Sequence, residues 1–214
     1  LDSHQDVLAG TAFALTLIKP NLSALPVLAV LSWSVYRGRR KVLVGLGGTL
    51  AALLGLSFAW QPKWLEHFLA GARGYASYAN LVWPIQQAGR VWIGAIVIAV
   101  IGGLTVVSIT KAVRGRNQRD FLVAFCFVVI LSLAALPQTG SYSLTLLLIP
   151  AAGFLALAPQ DRWVRVGVFT SLITPWLYWW LQMQRGIQID QIALPLQFAL
   201  VGATTLFGRE KVDR

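Results

Sequence analysis

The 214-residue sequence is 57% hydrophobic and only 12% charged. That is about half the charged share of a typical globular chain, too little to cover a water-exposed surface, so soluble and disordered classes are excluded and a membrane is the implied solvent. The net charge of +10 would suggest nucleic acid in a soluble protein, but here the placement of the charges decides its meaning. Cys126 is the single cysteine, which leaves no intrachain disulfide and no cysteine cluster for zinc or iron–sulfur chemistry.

The chain opens Leu1-Asp2-Ser3-His4-Gln5-Asp6 and carries its one methionine at Met183, as a trimmed or partial product would. No basic stretch followed by a short apolar run and a small-residue cleavage site precedes the first apolar segment. A bilayer core of about 30 Å takes about 20 apolar residues of helix. Seven segments approach that length, approximately 7–36 (interrupted at Lys19-Pro20), 42–60, 91–110, 121–137, 143–158, 164–181 and 192–208. The expected fold is therefore all-α: a polytopic integral membrane bundle of about seven helices, forming one membrane domain over residues 1–214.

Basic residues separate by loop. Arg37, Arg39, Arg40 and Lys41 follow the first segment, Lys111, Arg114, Arg116 and Arg119 the third, Arg162 and Arg165 the fifth, and Arg209, Lys211 and Arg214 the seventh. The alternate loops hold only Lys63, Arg73, Arg90 and Arg185. Thirteen against four, read by the positive-inside rule, places the N-terminus outside and the C-terminus in the cytoplasm of a multi-pass plasma-membrane protein. The charge is thus mostly an orientation signal, strengthened by anionic lipid, and no nucleic-acid partner is expected.

Most tryptophans, including Trp60, Trp64, Trp83, Trp92, Trp176, Trp179 and Trp180, fall toward the outer side; Trp33 and Trp163 fall toward the inner. An interfacial belt accounts for such rings, and a cleft contacting sugar or prenyl groups is the sharper alternative. Within 61–90, Trp64, Leu65, Phe68, Leu69 and Ala72 recur at helical spacing, with Lys63, Glu66, His67 and Arg73 off the stripe. This predicts an outer amphipathic segment along the interface, followed by a link through Gly74, Tyr75 and Tyr78 to Trp83-Pro84.

Lys19 stands inside the first apolar segment. At a helix centre such a charge costs about 2.5–3.5 kcal/mol, so it should face a cavity, a partner or an anion. Pro20 breaks the helical ladder there, with Asn21 and Ser23 able to satisfy freed backbone groups, so 7–36 reads as two half-helices around a polar break.

The run Gly10 to Pro26 containing Ile18-Lys19-Pro20-Asn21-Leu22, followed by an apolar tract and Arg37-Gly38-Arg39-Arg40, resembles the signature of glycosyltransferase family 87. Ser141-Tyr142-Ser143-Leu144-Thr145, leading into a Leu-rich stretch that ends at Pro150, is similar to a later turn of that family, and the likeness spans about residues 7–158. The family belongs to the GT-C superfamily of polyprenyl-phosphate-sugar-dependent enzymes. The resemblance implies transfer of a hexose, mannose foremost, from a polyprenyl-phosphate donor to a lipid or glycan acceptor at the outer face. Such chemistry needs a base for the acceptor hydroxyl and a cation for the departing phosphate. Lys19 fits the phosphate role, with Arg73 and Arg90 as further candidates. Asp6 and Asp2 are candidate bases, although a carboxylate at a helix start is equally a cap or dipole partner, and the family's catalytic loop is expected upstream. Asn21, Tyr75, Tyr78, Trp83, Ser141 and Tyr142 would line the substrate. No DxD-type pair occurs, so neither metal nor other cofactor is expected. A transporter or flippase component for an anionic lipid-linked sugar is the alternative, since broken helices also build transport sites. A noncatalytic membrane fragment is the third.

Overall fold

The computed structural model describes residues 3–17, 20–75, 91–135, 145–185 and 190–207. Of these, 92% are helical and none lies in a strand. Among the described residues, three helices are long and apolar enough to cross a membrane: Arg40–Trp60, Trp92–Gly115 and Gln118–Ala135. The chain divides into two compact units, Leu1–Tyr78 and Ala79–Arg214.

The first unit holds α1 (Ser3–Thr16), α2 (Pro20–Tyr36), α3 (Arg40–Trp60) and α4 (Trp64–Tyr75). Its main contact is between α1 and α3. Gly10 and Ala14 lie one turn apart on α1, as do Gly45 and Thr49 on α3, and such small residues let two backbones approach closely. A Cβ on Gly10 would collide with the Val42 carbonyl oxygen, and one on Gly45 with that of Val7. One turn on, Thr49 Oγ1 donates to Thr11 Oγ1 at 3.1 Å. Val7 faces Gly45 and Thr11 faces Thr49, so residue numbers rise together and the two helices run parallel.

Two parallel helices separated by α2 require α2 to run back. Pro20 occupies the first helical position of α2, where its missing N–H costs nothing. Ser23 on the first turn of α2 donates to the Thr16 carbonyl at 2.7 Å, satisfying one of the acceptors orphaned at the end of α1. The far end of α2 closes by a Schellman motif: Gly38 is left-handed at φ 70°, its N–H donates to Val35, and the Arg39 N–H donates to Ser34. Ala14, Val27 and Leu46 form the buried centre of the unit, flanked by Phe13, Leu17, Leu31 and Leu50.

This corrects the reading of 7–36 as one interrupted span. A continuous helix would carry residue 36 about 45 Å from residue 6, yet Arg39 Nη1 lies 3.6 Å from Asp6 Oδ1. Residues 3–36 are a helical hairpin whose two ends meet beside the start of α3. The hairpin covers only part of that helix. All three buried residues of α3, Val42, Gly45 and Leu46, fall in its first half, and none from Ala51 to Trp60 is buried. Leu17, the last described residue of this stretch, and Leu50 both pack against the Ala14, Val27 and Leu46 centre.

At the far end of α3, Pro62 and Lys63 turn the chain into α4, the helix expected from the stripe in 61–90. Trp64 meets Phe58 edge-on at 5.8 Å and stacks on Phe68 at 5.4 Å, while Leu65, Phe68 and Leu69 remain exposed.

The second unit contains α5 (Val91–Gly115), α6 (Gln118–Ala135), α7 (Leu148–Leu157), α8 (Arg162–Arg185) and α9 (Asp190–Phe207). Asn117 caps α6, accepting the Asp120 N–H at 2.7 Å while its amide donates back to the Asp120 carboxylate. Asp161 caps α8 through the amides of Trp163 and Val164. The α6 helix is the core of the unit: Cys126, Phe127 and Ile130 are fully buried, and Phe127 meets Phe154 of α7 edge-on at 6.1 Å. Thr105 of α5 reaches the Phe127 carbonyl, Gly153 of α7 faces Cys126, and Gly167 of α8 faces Val201 of α9, which sets each pair antiparallel. Lys111 donates to the Leu206 carbonyl at 3.2 Å, capping the C-terminal end of α9. The basic residues around the α5–α6 and α7–α8 turns thereby gather at one end of this unit.

Candidate functional site

The first helix, α1, positions Asp6, the described residue among the candidate bases. Asp6 lies in the first turn of α1, where a carboxylate complements the positive end of the helix dipole. It is paired with Arg39, which precedes the first turn of α3 and caps it with no side-chain hydrogen bond. Arg40 and Lys41 follow within that turn, so three cations crowd a helix end whose dipole is also positive. Asp6 is the acidic group that offsets them. Arg37 adds a cation over the Trp33 ring at 5.8 Å, and Trp33 lies 5.7 Å from Tyr36. Arg37, Arg40 and Lys41 are exposed.

Between Asp6 and Thr16, α1 interposes ten residues, about 15 Å of helix. Asp6 is therefore at the base of the hairpin, and Thr16 and Leu17 are at the other end of α1. The expectation that Asp6 lies at the outer mouth of a span while Arg37 to Lys41 lie inside is corrected here, because its carboxylate touches that same basic turn.

Lys19 itself lies outside the described residues, as do Asp2, Tyr78, Trp83, Arg90, Ser141 and Tyr142. Asn21 belongs to α2, and Arg73 and Tyr75 to α4, by their backbones; their side chains are outside the description. The structure thus brings together Asp6 and Arg39, a pairing the sequence reading lacked. The small-residue spacing of Gly10 with Ala14 and Gly45 with Thr49 was the signal for it. On α4, His67 Nδ1 lies 2.7 Å from the Gln61 amide nitrogen, and Glu66 is exposed in the first turn. Among the described residues no group of three or more His, Cys, Asp or Glu is placed to hold a metal ion. No family model, curated protein or solved structure matches this chain.

Proposed function

We propose that the chain is the membrane-embedded part of a multi-pass plasma-membrane transferase that moves a hexose from a polyprenyl-phosphate donor to a lipid or glycan acceptor, with Lys19 as the partner of the donor phosphate. The observation that carries this reading is the exposed second half of α3. None of its residues from Ala51 to Trp60 is buried, and Leu54, Leu56 and Phe58 are exposed. A prenyl chain is an apolar occupant for such a surface, and a lysine within an apolar segment of the sequence calls for an anion. The side chain of Lys19 supplies a charge to the phosphate as it leaves, the point in sugar transfer where negative charge develops. The resemblance of the Lys19-Pro20 region to glycosyltransferase family 87 supports the same assignment.

The test is transfer from radiolabelled polyprenyl-phosphate hexose in reconstituted membranes. Lys19→Ala is expected to lower turnover about 10²- to 10³-fold, the usual cost of removing one charge-stabilising group, and Lys19→Arg to retain part of it. Equal activity of Lys19→Ala and the unaltered chain would overturn the assignment.

A transporter of an anionic lipid-linked sugar is favoured by one observation, the return of α2 alongside α1 in place of one continuous span, since broken helices also form transport sites. Uptake of the labelled substrate into sealed vesicles without a covalent product would select that reading.

A further inference from the structure

In the second unit, Thr174 and Tyr178 lie one turn apart on α8 and both reach Gln197 on α9. Thr174 Oγ1 donates to Gln197 Oε1 at 2.9 Å, and Gln197 Nε2 donates to Tyr178 Oη at 2.9 Å. All three side chains are half-buried, and each helix has a proline close by, Pro175 and Pro195. Pro175 has no N–H for the Ser171 carbonyl, and Thr174 Oγ1 stands 3.3 Å from that oxygen.

The donor count does not close. Gln197 has two amide protons and Tyr178 one phenolic proton, and only one of the three is spent within the cluster. Among the described residues neither Tyr178 nor the second amide proton of Gln197 has a further partner. Holding the two helices together needs only the Thr174–Gln197 link, which leaves the Tyr178 proton and the second Gln197 proton available to a ligand. Charges are remote. Arg165 precedes Thr174 by nine residues, about 14 Å of helix, Arg185 follows Tyr178 by seven, and Asp190 precedes Gln197 by seven, about 10 Å each.

We propose that Thr174, Tyr178 and Gln197 form a binding site for a hydroxyl of a neutral sugar or polyol. A hydroxyl oxygen has two lone pairs, which accept the Tyr178 proton and the second Gln197 proton, and its own proton goes to a lone pair on Thr174 Oγ1. With no charge at hand, the site selects a neutral group over a phosphate or carboxylate. The proposal stands apart from the Lys19 assignment, since it rests on the other unit.

The full chain in phosphatidylcholine nanodiscs is titrated with a methyl hexoside, a decyl hexoside and the fully O-methylated form of each, read by tryptophan fluorescence. Hydroxylated probes are expected to bind at least tenfold more tightly than O-methylated ones. Tyr178→Phe, which keeps the Thr174–Gln197 link, is expected to weaken the hydroxylated probes about tenfold, while Gly47→Ala leaves them unchanged. Binding of the methyl hexoside identifies a free sugar as the source, and binding of the decyl hexoside alone a lipid-linked one. The proposal is overturned if neither hydroxylated probe binds in preference to its O-methylated form, or if Tyr178→Phe binds as tightly as the unaltered chain. Circular dichroism and thermal unfolding of Tyr178→Phe, matching those of the unaltered chain, tie the loss to the missing hydroxyl.

Discussion

Arg39 stands at the positive end of the α3 dipole, and Asp6 is the carboxylate that meets it, at 3.6 Å. With the two side chains 40% and 17% exposed, water and salt screen the pair, so its energetic weight is small even though it reports the geometry of the whole hairpin. A double-mutant cycle of Asp6→Asn and Arg39→Gln, followed by thermal unfolding in nanodiscs, is expected to give a coupling of about 0.2–1 kcal/mol that shrinks in high salt. A salt-independent coupling of several kcal/mol would mean a desolvated pair and contradict this placement. The sequence marked Asp6 as a helix-start carboxylate, which it is. Its partner was not legible, because a partner 33 residues away is fixed by how α2 returns and not by any local pattern. The same holds for Gln197: its spacing to Thr174 and Tyr178 carries no periodic signal, and only the antiparallel packing of α8 on α9 joins them.

Among the elements, the α1–α3 contact separates glycines that are needed for close approach from glycines that are not. At Gly10 and Gly45 a Cβ would meet backbone atoms of the facing helix, which cannot rotate away, so Gly10→Val and Gly45→Val are each expected to cost about 1–3 kcal/mol by forcing the helices apart. Gly47 and Gly55 on the same helix have open space, and alanine there is expected to be neutral or stabilising by up to about 1 kcal/mol through better helix propensity. Thermal unfolding of the four variants in one lipid mixture checks the contrast. Equal losses at Gly45 and Gly47 would rule out the parallel packing described above. Most helices were legible as apolar runs, and the amphipathic stripe of α4 was legible residue by residue. The break at Pro20 was legible as well, but its consequence was not: proline at the first helical position suits a kinked rod and a reversed hairpin equally. What distinguishes them is the Gly10 and Gly45 contact, visible in the sequence only as two small-residue spacings among many glycines.

At the scale of the whole molecule, the hairpin changes which residues can share a side of the membrane. If the basic turn Arg37 to Lys41 faces the cytoplasm, as the positive-inside rule requires, then the start of α1 faces the cytoplasm too, because Asp6 touches that turn. The opposite end of α3, with Trp60 and the α4 aromatics, then faces outward, and the assignments of the later basic loops are untouched. Single cysteines at Gln5, Arg40 and Lys63, all exposed positions, report this directly, since the native Cys126 is buried. A membrane-impermeant maleimide added to sealed right-side-out vesicles is expected to label Lys63→Cys at once, and to label Gln5→Cys and Arg40→Cys only after the vesicles are opened. Labelling of Gln5→Cys together with Lys63→Cys from outside would restore one transmembrane span over 7–36. It would also break the Asp6–Arg39 pair and the hairpin that the pair closes. The labelling experiment therefore tests the hairpin, whereas the hydroxyl site between α8 and α9 stands under either result.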